Sequence, residues 1–199
     1  VTVSQATVLD LNGQTLTWNS SARYAIEVDA GASLTIQDGS NEAGGKLDMY
    51  STSEDILPTG LYVSDGSLHL ESGTISHQNS AKTSRAIGIP SSKSSFTMSG
   101  GTIATGEQTA YAVYVMNAPS VSITGGKIEI GSENATTSNC GVYVSRSSVI
   151  VENLTVDGSQ VASTSKVNCL YSSNSSSVLE IRSGTYTAND NENSYAVGG

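Results

Sequence analysis

A chain of 199 residues with 18 Asp and Glu against 9 Lys and Arg carries a formal net charge of −9. That balance argues against nucleic acid and anionic membrane surfaces as partners, because both need clustered cations. Only 14% of the residues are charged and 37% are apolar. A disordered chain would pair such polarity with higher charge and would lack regular apolar positions. No stretch reaches the roughly 18 apolar residues of a membrane-spanning helix.

From the amino terminus, Leu9-Asp10-Leu11 reads as a short strand, and Asn12-Gly13 as the turn that follows it. A three-strand unit then begins. Thr15-Leu16-Thr17 is its first strand, Ala25-Ile26-Glu27-Val28 its second and Ser33-Leu34-Thr35-Ile36 its third, with a turn at Gly39. The next unit repeats the pattern as Lys46-Leu47-Asp48, Gly60-Leu61-Tyr62-Val63 and Ser67-Leu68-His69-Leu70, turning at Gly73. It recurs as Thr74-Ile75-Ser76, Ala86-Ile87-Gly88-Ile89 and Ser95-Phe96-Thr97-Met98, with Gly100-Gly101. A fourth copy is Thr102-Ile103-Ala104, Ala112-Val113-Tyr114-Val115 and Ser120-Val121-Ser122-Ile123, with Gly125-Gly126. The fifth is Lys127-Ile128-Glu129-Ile130, Gly141-Val142-Tyr143-Val144 and Ser148-Val149-Ile150-Val151, where Asn153 takes the glycine's place. Thr155-Val156-Asp157, Cys169-Leu170-Tyr171-Ser172 and Val178-Leu179-Glu180-Ile181 form the sixth, ending at Gly184. Thr185-Tyr186-Thr187 and Ala196-Val197-Gly198-Gly199 begin a seventh.

A period of about 28 residues over the whole chain predicts a solenoid, in which each copy buries its apolar face only against its neighbours. Alternation over three to five residues is a strand signature. Two-residue hairpin turns are missing between consecutive apolar runs, so equivalent strands of successive coils are expected to stack in parallel, about 4.8 Å apart. The turn glycines are expected to supply positive φ, and Asn153 is the next most tolerant residue. The polar segments between first and second strands, Trp18 to Arg23, Met49 to Thr59, His77 to Ser84 and Gly131 to Asn139, are predicted loops at one corner.

The run Leu9-Asp10-Leu11-Asn12-Gly13-Gln14-Thr15-Leu16-Thr17, followed by Ser-x-Thr-Ile and Gly-Gly-x-Ile coils, resembles bacterial right-handed parallel β-helix proteins of the pectate-lyase-like superfamily. It is most similar to the non-enzymatic repeat modules of large bacterial surface proteins. The resemblance spans essentially the whole chain, and its motifs report fold rather than activity. It implies secretion or attachment to the cell surface, and contact with glycans or adhesion. The expected fold is therefore all-β: a single-stranded, right-handed parallel β-helix of six to seven coils, three strands per coil. Residues 1–199 are expected to form one domain. The start at Val1 and the stop midway through a seventh coil read as a segment of a longer extracellular protein with neighbouring domains.

The strongest candidate site is aromatic. Tyr62, Tyr114, Tyr143 and Tyr171 share the outward position of the second strand. The adjoining column, Gly60, Ala86, Ala112, Gly141 and Cys169, is too small to cover them. Phenol rings offer a C–H-binding face and a hydroxyl, which suits sugar rings, and exposed aromatic patches mark interaction surfaces. The structural alternative is that the rings simply stabilise neighbouring coils. Chemistry is thinner elsewhere. Glu129 and Asp157 fall on adjacent coils at a spacing that a retaining glycosidase would need, but neighbouring acids on a solvated strand are common. Lys and Arg are scattered, without the base-plus-calcium grouping of a lyase. His69 is placed outward and His77 at the start of a loop, both as solvated surface residues rather than metal ligands. The loop Asn189-Asp190-Asn191-Glu192-Asn193 is rich in oxygen but lacks calcium-loop spacing. A threonine row (Thr15, Thr17, Thr74, Thr102, Thr155, Thr185, Thr187), suited in principle to ice, is broken by Lys46 and Lys127. Cys140 and Cys169 are expected one residue out of register on opposite faces, as two free thiols rather than a disulfide.

The function expected from these residues is a non-catalytic, adhesin-like or spacer module, secreted or on the cell surface, that contacts a glycan or another surface ligand through the tyrosines. No cofactor or metal is expected. The alternative is a polysaccharide-active enzyme, a glycoside hydrolase or a polysaccharide lyase, with its site in the first-corner loops.

Overall fold

A computed structural model of the chain describes residues 1–40, 44–117, 120–131 and 138–199. They form a right-handed parallel β-solenoid of about seven coils, built from three parallel sheets. Right-handed crossovers are the rule for parallel strands. The second strands make an eight-stranded sheet, while the first and third strands make seven-stranded sheets.

The predicted columns are the observed ones. Ile26, Leu61, Ile87, Val113, Val142, Leu170 and Val197 pair in sequence along the second-strand sheet. Leu34, Leu68, Phe96, Val121, Val149 and Leu179 do so along the third. Leu16, Leu47, Ile75, Ile103, Ile128, Val156 and Tyr186 do so along the first. Alternating residues point inward, so a register that brings like to like packs aliphatic on aliphatic. Each buried side chain of this kind contributes about 1.5–3 kcal/mol. Ahead of the first full coil, the strand Thr7–Asp10 sets Leu9 beside Ile36.

The turn residues Gly73, Gly101 and Gly126 adopt φ of +79°, +76° and +100°, and Asn153 adopts +52°. Gly39 lies outside the left-handed region. It is small for another reason: a Cβ there would lie 2.6 Å from the Asp10 carboxylate.

That carboxylate belongs to a clasp between the first two coils. Asp10 accepts hydrogen bonds from the Gly39 and Asn12 amides and the Gln37 side chain. Asp38 accepts from the amides of Gly13 at 2.7 Å and Gly45 at 2.8 Å, and from the Ser40 hydroxyl. These donors, Gly13 foremost, pull its pKa down to about 2. Only the ionised carboxylate accepts them all, so its contribution is complete above pH 3.8 and vanishes as pH falls towards 2. Asp38→Asn is expected to lower the melting temperature at pH 7, and the gap from wild type should close at pH 2. A gap that stays constant would place the clasp's strength elsewhere.

The first strands run further than expected. Thr15–Ser20, Lys46–Ser51 and Thr74–Asn79 each continue past the three predicted residues. Trp18, Met49, His77, Thr105 and Ile130 thus form one more paired column. His77 is therefore not a solvated loop residue; it is 1% exposed. Its Nδ1 lies 3.1 Å from the Thr109 hydroxyl, and Nε2 is buried without a partner. Desolvation lowers its pKa to about 4. Beside it, Asn79 donates to the Ser51 hydroxyl and Thr109 to the His77 carbonyl. The first corner thus holds a buried polar seam.

Candidate functional site: a tyrosine-lined sheet

The second strand departs from simple alternation, and this shapes the site. Two consecutive residues turn inward in each copy, as at Ala25 and Ile26 or Ala112 and Val113. The small column expected beside the tyrosines therefore faces the core. Its residues are small because the first-strand column presses on them. A Cβ at Gly60 would meet His77 Cδ2 at 2.7 Å and Met49 Cε at 2.8 Å; one at Gly141 would meet Val156 Cγ1 at 2.8 Å.

Consequently the column flanking the tyrosines on the outer face begins one residue earlier. It runs Tyr24, Thr59, Arg85, Tyr111, Cys140, Asn168 and Tyr195, paired coil to coil. Beside it stands the expected column of Tyr62, Tyr114, Tyr143 and Tyr171, with Gly88 between the first two. Seven of the nine tyrosines thus lie on one sheet. Tyr24, Arg85 and Tyr111 align one residue ahead of the small column, but simple alternation turns them inward with Ile26, Ile87 and Val113. The double inward step is what brings them to the tyrosines' face.

The rings stand on edge. Tyr114 and Tyr143 stack at 4.8 Å with planes 6° apart, and Tyr143 and Tyr171 follow at 5.9 Å. Because the Tyr114–Tyr143 spacing matches the strand separation, ring faces meet along the rod axis, and the Tyr114 hydroxyl is turned to the Met116 sulfur at 3.8 Å. Tyr24 and Tyr62 stack at 3.8 Å. Burial, with help from Tyr24, raises the Tyr62 phenol to about 12. Tyr111 meets both Tyr114 and Tyr143 edge-on. Across the gap left by Gly88, the Arg85 guanidinium lies 3.8 Å from the centre of the Tyr114 ring. Such a cation over a ring face is attracted by its quadrupole.

Where the outer column carries Cys140 and Asn168 instead of aromatics, the surface opens into a notch of about 290 Å³. Tyr111 and Tyr195 bound it along the rod, and Tyr143 and Tyr171 wall it from the side. The buried Asn168 Oδ1 has no hydrogen-bond partner.

The other candidates fall into structural roles. Glu129 and Asp157 are paired across coils, but each carboxylate holds a local partner. Glu129 takes Lys127 at 2.6 Å, and Asp157 takes the Ser159 hydroxyl at 2.7 Å. Asn189 donates its amide to the carbonyls of Val161, Ala162 and Ser165, and Asn191 donates to that of Ser163. These two amides from the 189–193 loop therefore tie neighbouring coils together. His69 Nδ1 lies 2.7 Å from the Thr97 hydroxyl of the next coil. Cys140 pairs in register with Asn168, and both cysteines are free and buried. Burial pushes both thiols up, that of Cys169 to about 12. Among the described residues no three His, Cys, Asp or Glu side chains gather as a metal site, and no helix is long and apolar enough to cross a membrane. Most of the fourth predicted corner loop, residues 132–137, lies outside the described residues. Comparison of the chain with protein-family models, curated proteins and solved structures finds no match.

Proposed function

We propose that this chain is a non-catalytic, adhesin-like or spacer module of an extracellular protein that contacts carbohydrate through its tyrosine sheet. The observation carrying this reading is the gathering of seven tyrosines on one outer face, four of which line a notch of about 290 Å³. The stacked phenols from Tyr114 to Tyr171, 4.8 and 5.9 Å apart, offer a run of ring edges to a polyol. Aromatic side chains with a polar tip suit ligands that are apolar on one side and wet on the other.

A glycan array probed with wild type and with the Tyr114→Ala/Tyr143→Ala double variant tests it. Wild type should retain at least one glycan class. The double variant should lose about tenfold or more in affinity while its circular dichroism stays that of a β-solenoid. Loss of the stacked pair should also cost about 0.5–1.5 kcal/mol of stability. Undiminished binding by the double variant, or no retention of any glycan by wild type, would refute the reading. Release of reducing ends or unsaturated products from polysaccharides, abolished by changing Glu129 or Asp157, would favour an enzyme instead.

A further inference from the structure

We infer that the notch over Cys140 and Asn168 is a subsite for a 2-acetamido sugar residue. The inference rests on the carbohydrate reading and narrows it to one chemical class. The notch is small, at about 290 Å³, near the lower end of ligand pockets, and it suits one pyranose unit rather than a bundle of chains.

Its polar lining is Ser138, Lys166, Asn168 and Asn193, with the phenols of the four tyrosines. Asn168 presents a buried Oδ1 that nothing in the protein satisfies. Turning the carboxamide over only exchanges an unpaired acceptor for an unpaired donor. Buried polar atoms normally find partners, so an orphan lining a surface notch invites a ligand group. Two residues earlier on the same strand, Lys166 lines the same notch, about 7 Å away along the backbone. It forms none of the ion pairs seen among the described residues. No carboxylate lines the notch.

An acetamido group matches this arrangement. Its N–H donates to Asn168 Oδ1, its carbonyl accepts from Lys166 Nζ, and its methyl packs against a tyrosine ring of the wall. A uronate can give Oδ1 a ring hydroxyl and Lys166 its carboxylate, but it has no methyl for the aromatic wall. A plain hexose supplies hydroxyls but no methyl for the aromatic wall.

The test is titration of the ¹⁵N-labelled chain with three methyl β-D-glycosides: the 2-acetamido-2-deoxyglucoside, the glucoside and the glucuronide. The acetamido glycoside should shift amide signals of the strands Ser138–Ser145 and Lys166–Ser172, and should saturate at about tenfold lower concentration than the other two. Asn168→Ala and Lys166→Met should each weaken it by about tenfold, and Lys166 is exposed enough that its change leaves folding intact. Equal or tighter binding of the glucoside or glucuronide in the notch would overturn the acetamido assignment and leave the carbohydrate reading standing. So would acetamido binding that both variants preserve. No shift with any of the three glycosides, together with a blank glycan array, would overturn both.

Discussion

Phe96→Ala is expected to destabilise the solenoid by about 3–5 kcal/mol, the range for emptying a buried aromatic site. Phe96 is the single phenylalanine of the chain, is fully buried, and sits between Leu68 and Val121 in the third-strand column. The space it leaves has little means of collapse. Both neighbouring coils are pinned by hydrogen bonds in all three sheets, and an interior that cannot relax retains its cavity. The damage should also be local. Stability in a solenoid is close to a sum over coils and their interfaces, so a weak coil in mid-rod should uncouple the two ends. Urea unfolding followed by circular dichroism should show an earlier midpoint, with a transition broadened or split in two. Phe96→Leu, which keeps most of the volume, should lose far less. A loss below about 1 kcal/mol for the alanine variant would mean that the rod can close around the gap.

The second large effect is a pH dependence written into His77. In the unfolded chain its imidazole titrates near 6.5; in the folded protein burial holds it neutral down to about 4. Between those values the unfolded chain binds a proton that the folded one refuses, so stability rises with pH across that window. It is complete above about pH 7, falls as pH drops through 6.5, and this group takes nothing further below pH 4. At about 1.4 kcal/mol per pKa unit, the loss amounts to about 3 kcal/mol. The charged ring is costly because Nε2 is buried without a partner, packed beneath Gly60 and beside Met49. Denaturant titrations at pH 7.5 and pH 4 should show the difference in wild type. His77→Leu keeps a similar volume and should flatten most of that slope, even where it costs stability at neutral pH through the lost Thr109 contact. An equal slope in the variant would assign the acid sensitivity to carboxylates. The Asp38 clasp is separable, since its contribution is lost only below pH 3.8.

Much of the architecture could be read without coordinates. Columns such as Leu34 to Leu179 align because each coil presents its neighbour with the same alternation, and a slip of one residue would turn every apolar side chain to solvent. Three features escaped that logic. His77 reads as the polar start of a loop, yet hydrogen bonds to the next coils carry it inside. The small column at Gly60 and Gly141 reads as outward, yet the strand turns two residues inward in succession to meet Met49, His77 and Val156. Arg85 reads as a scattered surface cation, yet it lies across the Tyr114 ring. Each depends on contacts between strands that are far apart in sequence or on different sheets, which no local period encodes.

The sequence by itself determined the parallel rod, its period, its inward aliphatic columns and the outward row Tyr62, Tyr114, Tyr143 and Tyr171. These follow from repetition, because a side chain's nearest foreign neighbour is its own counterpart one coil away. Only the tertiary structure decided that the tyrosine rings stand on edge, that Tyr24, Tyr111 and Tyr195 share their face, and that Cys140 and Asn168 open a notch among them. Ring orientation comes from stacking across the strand separation. The concavity comes from the smaller Cys140 and Asn168 between Tyr111 and Tyr195. That column reaches the outer face only because the strand turns two residues inward in succession.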